Sequence, residues 1–525
     1  MPQPHAVPVV DLFAGPGGLG EGFSSFRQDK REACFKVRLS IEKDFWAHQT
    51  LTLRAFYRQF APGRAPGIYY DLLRGSTERD TLFARFPDEA AQADSEAWRA
   101  ELGVMGYPEV RNRIKAAVGK SDDWILIGGP PCQAYSIAGR SRNKGVEGYR
   151  PDRDRRQYLY AEYLEIIADH WPAIFVMENV KGLLSAKLRN HSVFDFIHED
   201  LSAPARALHR RASNGRAHRY TIFSVAPNGG LFEDVGVHDF VVQAERHGVP
   251  QARHRVILLG VRDDLTSGSF SWRRLLPTLN EIPVQCVLDG MPALRSGLSG
   301  GNDSSDAWLR VLRDARDRRW LKSAGIFGGS EVRDLVAETI QNVSAPRHDR
   351  GAEFIAGDFR VGYRPDWFID GKVDGLCNHS TREHMPHDLH RYLYAACFAQ
   401  CHGRSPVLSD FPADLLPDHD NVHLALSGHG YFADRFRVQV RGRCATTITS
   451  HLAKDGHGFI HPDPRQCRSL TVREAARLQT FPDNYLFCGS RTQQYVQVGN
   501  AVPPLLAESV AGIVWALLET NGLAG

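Results

Sequence analysis

Residues 7–23 read VPVVDLFAGPGGLGEGF. Val7 to Phe13 is a short apolar run with few polar breaks, the pattern of a strand buried on both faces of a parallel sheet. Gly15, Gly17 and Gly20 follow it in G-x-G-x-x-G spacing, and the chain then turns helical in character. Glycines there permit a tight turn and let a ligand approach the backbone. Four further apolar runs read as strands: CFKVRLSIE ending at Glu42, WILIGG (124–129), AIFVMENV (173–180) and HRVILLGV (254–261). A helical pattern lies near Leu159 to His170. Apolar strands alternating with helices predict an α/β fold with a doubly wound sheet.

The chain has 525 residues, 42% apolar and 24% charged. At about 150 residues per domain it holds roughly three, and its balance excludes disordered, collagenous and small disulfide-stapled classes. The 64 basic and 61 acidic residues leave +3, so any basic surface must be local. Nine cysteines, an odd number at irregular spacing, point to a reducing cytoplasm. The opening MPQPHAVPVVDLF shows no signal-peptide pattern, and Leu505 to Leu518, which includes Glu508, reads as a packed helix rather than a membrane span. After Val261 the texture becomes less regular, with the loop SGLSGGNDSSD and the charged helix candidate AWLRVLRDARDRRWL. From about Arg468 the α/β texture returns. The expected organisation is a first α/β part (1–261), an inserted domain (262–440) and a C-terminal part completing the first (441–525).

Glu42 ends the second strand 22 residues beyond Gly20, where a carboxylate can accept both hydroxyls of a ribose. That pair does not separate NAD from S-adenosylmethionine, since both carry an adenosine. Asp71, in GIYYDLLRG, is a candidate for the adenine edge or else a capping or solvated aspartate. GGPPCQAYS sets Cys132 just past an apolar strand, in a turn stiffened by two prolines. A cysteine there is a nucleophile only as the thiolate, and otherwise a small buried apolar residue. Glu178, in MENV, lies at the carboxyl end of the next strand, and open α/β sheets bind ligands at those ends. Gln251, Arg253 and Arg255, in QARHR, alternate at strand period and would share a face fit for a carbonyl-bearing base or a phosphate, or form a charged edge strand.

DLFAGPGGLG, GGPPCQAYS, MENV, QARHR, RSLTVREAARLQTFPD and QVGNAVPP together resemble the ordered motif set of the DNA cytosine-C5 methyltransferases of bacterial type. The resemblance covers roughly 7–261 and 440–517, and the interrupting segment falls where that family carries its target recognition domain. It implies a Rossmann-like, S-adenosylmethionine-dependent methyltransferase sheet. It assigns Cys132 as the nucleophile that adds to C6 of a flipped-out cytosine, Glu178 to the N3/N4 edge, and Arg255 and Arg253 to O2 of the base and its neighbours. The cofactor would be held by Phe13, Gly15, Gly17, Gly18, Leu19, Glu42, Asp71, Pro130, Asn500 and Val502. DNA contacts would come from Gln133, Ser136, Arg140, Arg142 and Gln251, and no metal is expected. The implied partner is double-stranded DNA, with a separately acting cognate restriction endonuclease as a candidate, no membrane, and a monomer in a prokaryotic cytoplasm. A tRNA-methylating enzyme with the same motifs and a catalytically silent DNA-binding homologue are the competing readings.

Residues 140–156, RSRNKGVEGYRPDRDRR, hold seven basic and three acidic side chains, as befits a basic lid over DNA or a solvated loop. RALHRRASNGRAHR (206–219) offers the same pair of readings. Thr471 with Glu474 fits a capping box opening a structural helix, and VGNAVPP is a turn before the last helix. The cysteines and histidines between 377 and 402 are of zinc-binding type, but their spacing matches no compact finger, which favours a packed helical segment.

Overall fold

The computed structural model describes residues 6–28, 32–130, 158–188, 191–208, 218–227, 236–266, 273–322, 328–417, 422 and 434–522. Strand β1 (Val7–Leu12) leads through the glycine loop into helix α1 (Gly18–Ser25). There follow β2 (Phe35–Glu42), α2 (Phe45–Tyr57), α3 (Gly67–Leu73) and the short β3 (Ala97–Arg99). Next come α4 (Tyr107–Val118), β4 (Ile125–Gly128), α5 (Tyr158–His170) and β5 (Ile174–Val180). β6 (Tyr220–Ser224), β7 (Val241–Gln243), β8 (Gln251–Ala252) and β9 (His254–Arg262) complete the first part.

The main sheet has eight strands in the order β6-β9-β5-β4-β1-β2-β3, with β7 also paired to β9. From β3 to β5 all pairs are parallel; β9 runs antiparallel to β5, β6 and β7. The reversal of β9 follows from its short return out of β7, which leaves no helical crossover to carry it round to a parallel start. The order reverses at β1, between β2 and β4, so a crevice opens beyond the carboxyl ends of β1 and β4.

Alternate residues of β1 feed opposite layers. Val7 and Val9 pack with α1 and the last helix, whereas Val10 and Leu12 pack with α4 and α5. That last helix, α11 (Pro504–Thr520), crosses the chain back onto α1. Residues 491–520 are long and apolar enough to cross a membrane by length and composition. They form two helices, α10 (Arg491–Asn500) and α11, broken before Pro504 and largely buried in the core.

The inserted segment packs in two ways. Val284, Val287, Leu288, Val361 and Phe368 join a core with Leu470 to Ala501. The helices α6 (Ser305–Asp314), α7 (Ser330–Asn342) and α8 (Pro386–His402) build a separate core around Trp308, Tyr392 and Phe398, while α9 (Val472–Leu478) belongs to the first. That second core reaches past residue 440 to Ile460 and Cys467, so its packing ends later than the expected boundary.

Candidate active site

Gly17, at φ 97°, caps α1, and a Cβ there would lie 2.8 Å from Leu51 Cδ2. Gly18 has less room: a Cβ would meet the Val502 carbonyl oxygen at 2.1 Å. Val502 thus touches the glycine loop through its backbone. A Cβ on Gly15 would meet nothing within 4 Å, so the loop opens on free space. Glu42 anchors this loop: its Oε2 accepts the Gly15 N–H at 2.8 Å and its Oε1 the Asp44 N–H at 2.7 Å. Burial raises the Glu42 pKa, and these amides oppose that rise. Each oxygen retains a lone pair for a further donor.

Opposite the loop, β4 ends at Gly128, where a Cβ would lie 2.1 Å from the Leu12 carbonyl oxygen. At Gly129 it would lie 1.9 Å from the Glu178 carbonyl oxygen. The Asn179 amide donates to the Pro130 carbonyl at 3.2 Å, fixing the start of the next segment. Glu178 accepts from Arg255 Nε at 2.8 Å, both side chains being mostly buried. The Arg255 guanidinium also donates to the His254 carbonyl at 2.8 Å. Gly15, Glu42, Pro130, Glu178 and Arg255 therefore gather at the strand ends flanking the switch point.

Other expected site residues lie differently. Cys132, Gln133, Ser136, Arg140 and Arg142 fall outside the described residues, as do all of 140–156 and residues 209–217. Gln251 is fully buried; its amide donates to the Leu478 carbonyl and Gln479 and accepts from the Ile448 N–H. It has no surface to offer DNA. Arg253, 1% exposed, donates to the Ile448 carbonyl at 2.8 Å and the Gly499 carbonyl at 3.4 Å. Burial, reinforced by Arg255, pushes its guanidinium pKa down. The shared face expected for 251, 253 and 255 fails because the Arg253 N–H bonds back to the Gln251 carbonyl, a turn between β8 and β9. Asp71 sits on α3, half-exposed and paired with Arg74 at 3.3 Å, not at a strand end. Leu19 faces the core and Phe13, at φ 56°, packs on the opposite layer. Asn500 is exposed at the end of α10.

Two carboxylates escaped the sequence reading. Glu101 follows β3, whose pairing continues as the Ala100 N–H donates to the Glu42 carbonyl at 3.1 Å. Its Oε1 lies 3.2 Å from Lys43 Nζ, beside the Glu42 end of the sheet. Three-residue β3 is too short to show a period. Asp11 lies in β1, fully buried, with no side chain donating to it; a lone aspartate inside VPVVDLF was its signal.

The Cys/His segment holds no shared centre. Cys377 donates to the Leu73 carbonyl, Cys397 contacts Thr339, His384 meets Ser469 and Tyr392, and His390 meets the Val311 carbonyl. Among the described residues, one group, His218 with Asp263 and Asp264, brings its donor atoms within 4.8 Å of one another.

The family model of the C-5 cytosine-specific DNA methylases matches residues 108–203 and 420–514. A type II methyltransferase of Bacillus paralicheniformis is 31% identical, the match covering 96% of this chain and 98% of that enzyme. The type II methyltransferase M.AgeI of Thalassovita gelatinovora is 27% identical over 96% and 98% of the two chains. The crystal structure of a DNA modification methyltransferase encoded in an E. coli prophage, 18% identical, shares the fold with TM-score 0.52 over 98% of this chain and all of that one. With the glycine loop, its anchoring carboxylate and the Glu178–Arg255 pair at one switch point, this chain belongs to the C-5 cytosine-specific DNA methylase family.

Proposed function

We propose that this methyltransferase moves a methyl group from S-adenosylmethionine to carbon 5 of a cytosine flipped out of a specific double-stranded DNA sequence, through a covalent Cys132–C6 adduct. The observation that carries this reading is the ion pair between Glu178 and Arg255 beside Gly129 and the Gly15 loop. The open space at Gly15 and the backbone-held Glu42 carboxylate suit a nucleoside-bearing cofactor. Glu42 would bind the ribose hydroxyls, and Glu101 is better placed than Asp71 to accept from the adenine amine. When bound, S-adenosylmethionine supplies an electrophilic methyl group on a sulfonium.

Cys132, as thiolate, would form a bond to C6 and make C5 nucleophilic. Glu178 would hold the N3/N4 edge and, as a carboxylate accepting there, favour protonation of N3 as charge develops. Arg255 fixes the Glu178 carboxylate and would donate to O2. After methylation a base removes the C5 proton and the S–C6 bond breaks, restoring the ring. Arg253 and Gln251 act further back, holding the Ile448 and Gly499 backbone against this strand. The type II names of the relatives favour a restriction-modification setting with a separate endonuclease.

The test is base-resolution bisulfite sequencing of a host without cytosine methylation that expresses this chain, with Cys132→Ala in parallel. Methylation of one short motif, lost in the variant, is expected. A soluble wild-type chain that leaves DNA unmethylated would overturn the reading and turn attention to tRNA.

A further inference from the structure

The helix Ser305–Asp314 and the turns after it carry a charge pattern that the methyl-transfer crevice does not use. The helix buries Trp308 and Leu312 on one face. Arg310, Arg313, Arg316, Arg318 and Arg319 are all exposed on the other side or in the turns beyond. Asp306, Asp314 and Asp317 share the segment, yet the one ion pair among its described residues joins Lys322 to Asp317 at 2.9 Å. Residues 306–322 carry a net +3, as much as the whole chain. The global field is thus weak because one basic segment is balanced elsewhere, and a local field of this kind is what attracts a polyanion.

We propose that this arginine face is a second DNA-docking surface, contacting backbone phosphates of the duplex outside the base-flipping crevice. The inference rests on the DNA reading above and names where the inserted segment grips its substrate. A guanidinium presents a planar pair of donors matched to a phosphate, and among the described residues none of these five arginines has a salt bridge to give up on binding, Asp317 pairing with Lys322 instead. The rigid core beneath, with Trp308 fully buried, holds the row in place. Phosphate contacts position without specifying, so the surface would add affinity and register while leaving the target motif unchanged.

The test uses the full-length protein with the triple substitution R316A/R318A/R319A, a charge-preserving R316K/R318K/R319K partner, and far-ultraviolet circular dichroism to confirm folding. Binding to cognate and unrelated duplexes is measured by fluorescence anisotropy across a salt series. Three lost phosphate contacts should flatten the slope of log K against log salt by about 2.7, so affinity across a fourfold rise in salt falls about 40-fold less than for wild type. Both duplexes should weaken alike, the lysine variant should retain most of the slope, and bisulfite sequencing should find the same motif. An unchanged slope in a folded alanine variant overturns the proposal, as does a loss confined to the cognate duplex. Binding is read without catalysis, so failure here is distinct from failure of the methylation reading.

Discussion

Asp11→Asn should make the protein less sensitive to rising pH. Asp11 lies in the middle of β1 at 0% exposure, and burial lifts its carboxyl from 3.8 to about 8, with Glu42 and Glu96 adding to the rise and Gly20 and Arg58 opposing it. The sign follows from linkage: a carboxyl whose folded pKa is raised keeps its contribution below 3.8 and loses it as pH rises through the folded value near 8. At about 1.4 kcal/mol per pH unit, the gap bounds the loss at roughly 6 kcal/mol between pH 4 and 8. Asparagine has the same shape and does not ionise, so the variant escapes this loss. Urea unfolding of both proteins at pH 5, 6, 7, 8 and 9 reads it directly. The stability difference should move in favour of the variant by about 1 kcal/mol per pH unit and level off above pH 8. Parallel profiles would refute the assignment, since they would mean that Asp11 has the same proton affinity folded and unfolded.

Gly129→Ala places a methyl group against the Glu178 carbonyl and must shift the backbone at Gly129 and Pro130, two residues before Cys132; a folded protein with methylation reduced about a hundredfold is expected from a displacement near 1 Å, measured by methyl incorporation into DNA. Glu474→Gln strands the fully buried Arg468 guanidinium, now paired at 2.6 Å, and should cost about 3–5 kcal/mol in urea unfolding. Burial alone would raise the Glu474 pKa, but Arg468 holds it well below the ordinary value of 4.5. Wild type therefore keeps this contribution above pH 4.5 and loses it as pH falls through the lowered folded value, a loss the glutamine variant should lack. Glu42→Gln removes a charged acceptor from the Gly15 loop and should weaken S-adenosylhomocysteine binding by about 10- to 100-fold in calorimetric titration.

The strands that position the site were legible because strands buried on both faces are continuous apolar runs, as in ILIG and IFVM. Glu42 and Glu178 could be read because each closes such a run. Of the two readings offered for Asp71, its place fits a solvated aspartate: GIYYDLL carries apolar residues at 68, 69, 72 and 73, a helical spacing, and the side chain sits half-exposed on that helix beside Arg74. The period-two reading of QARHR failed for a reason invisible in composition: a backbone turn at Arg253 separates two strands that belong to different sheets. Glu101 was hidden because a three-residue strand at a sheet edge draws its stability from its neighbour rather than from its own pattern.

The buried arginines of RSLTVREAARLQTF explain how an insertion can serve a crevice built by other segments. The capping box at Thr471 and Glu474 starts the helix Val472–Leu478, and that helix projects arginines into the inserted segment. Arg473 donates to the carbonyls of Cys377, Pro482 and Tyr485 at 2.8, 3.1 and 2.6 Å. Arg477 donates to the Val287 carbonyl at 2.9 Å while pairing with Asp483, and Arg468 reaches the Leu294 carbonyl at 3.2 Å while pairing with Glu474. Loop carbonyls buried between segments would otherwise go unsatisfied, and one guanidinium with five planar donors can serve three at once. Lysine, with one nitrogen, could not span them. Three rigid staples thus tie the insertion to the segment Arg468–Leu478. The same C-terminal part reaches the crevice through Gln479, which bonds Gln251, and through Ile448 and Gly499, whose carbonyls Arg253 holds. Arg253 and Gln251 thereby become the near end of a chain of buried polar contacts whose far end is the inserted segment, which is why they are buried rather than turned toward DNA.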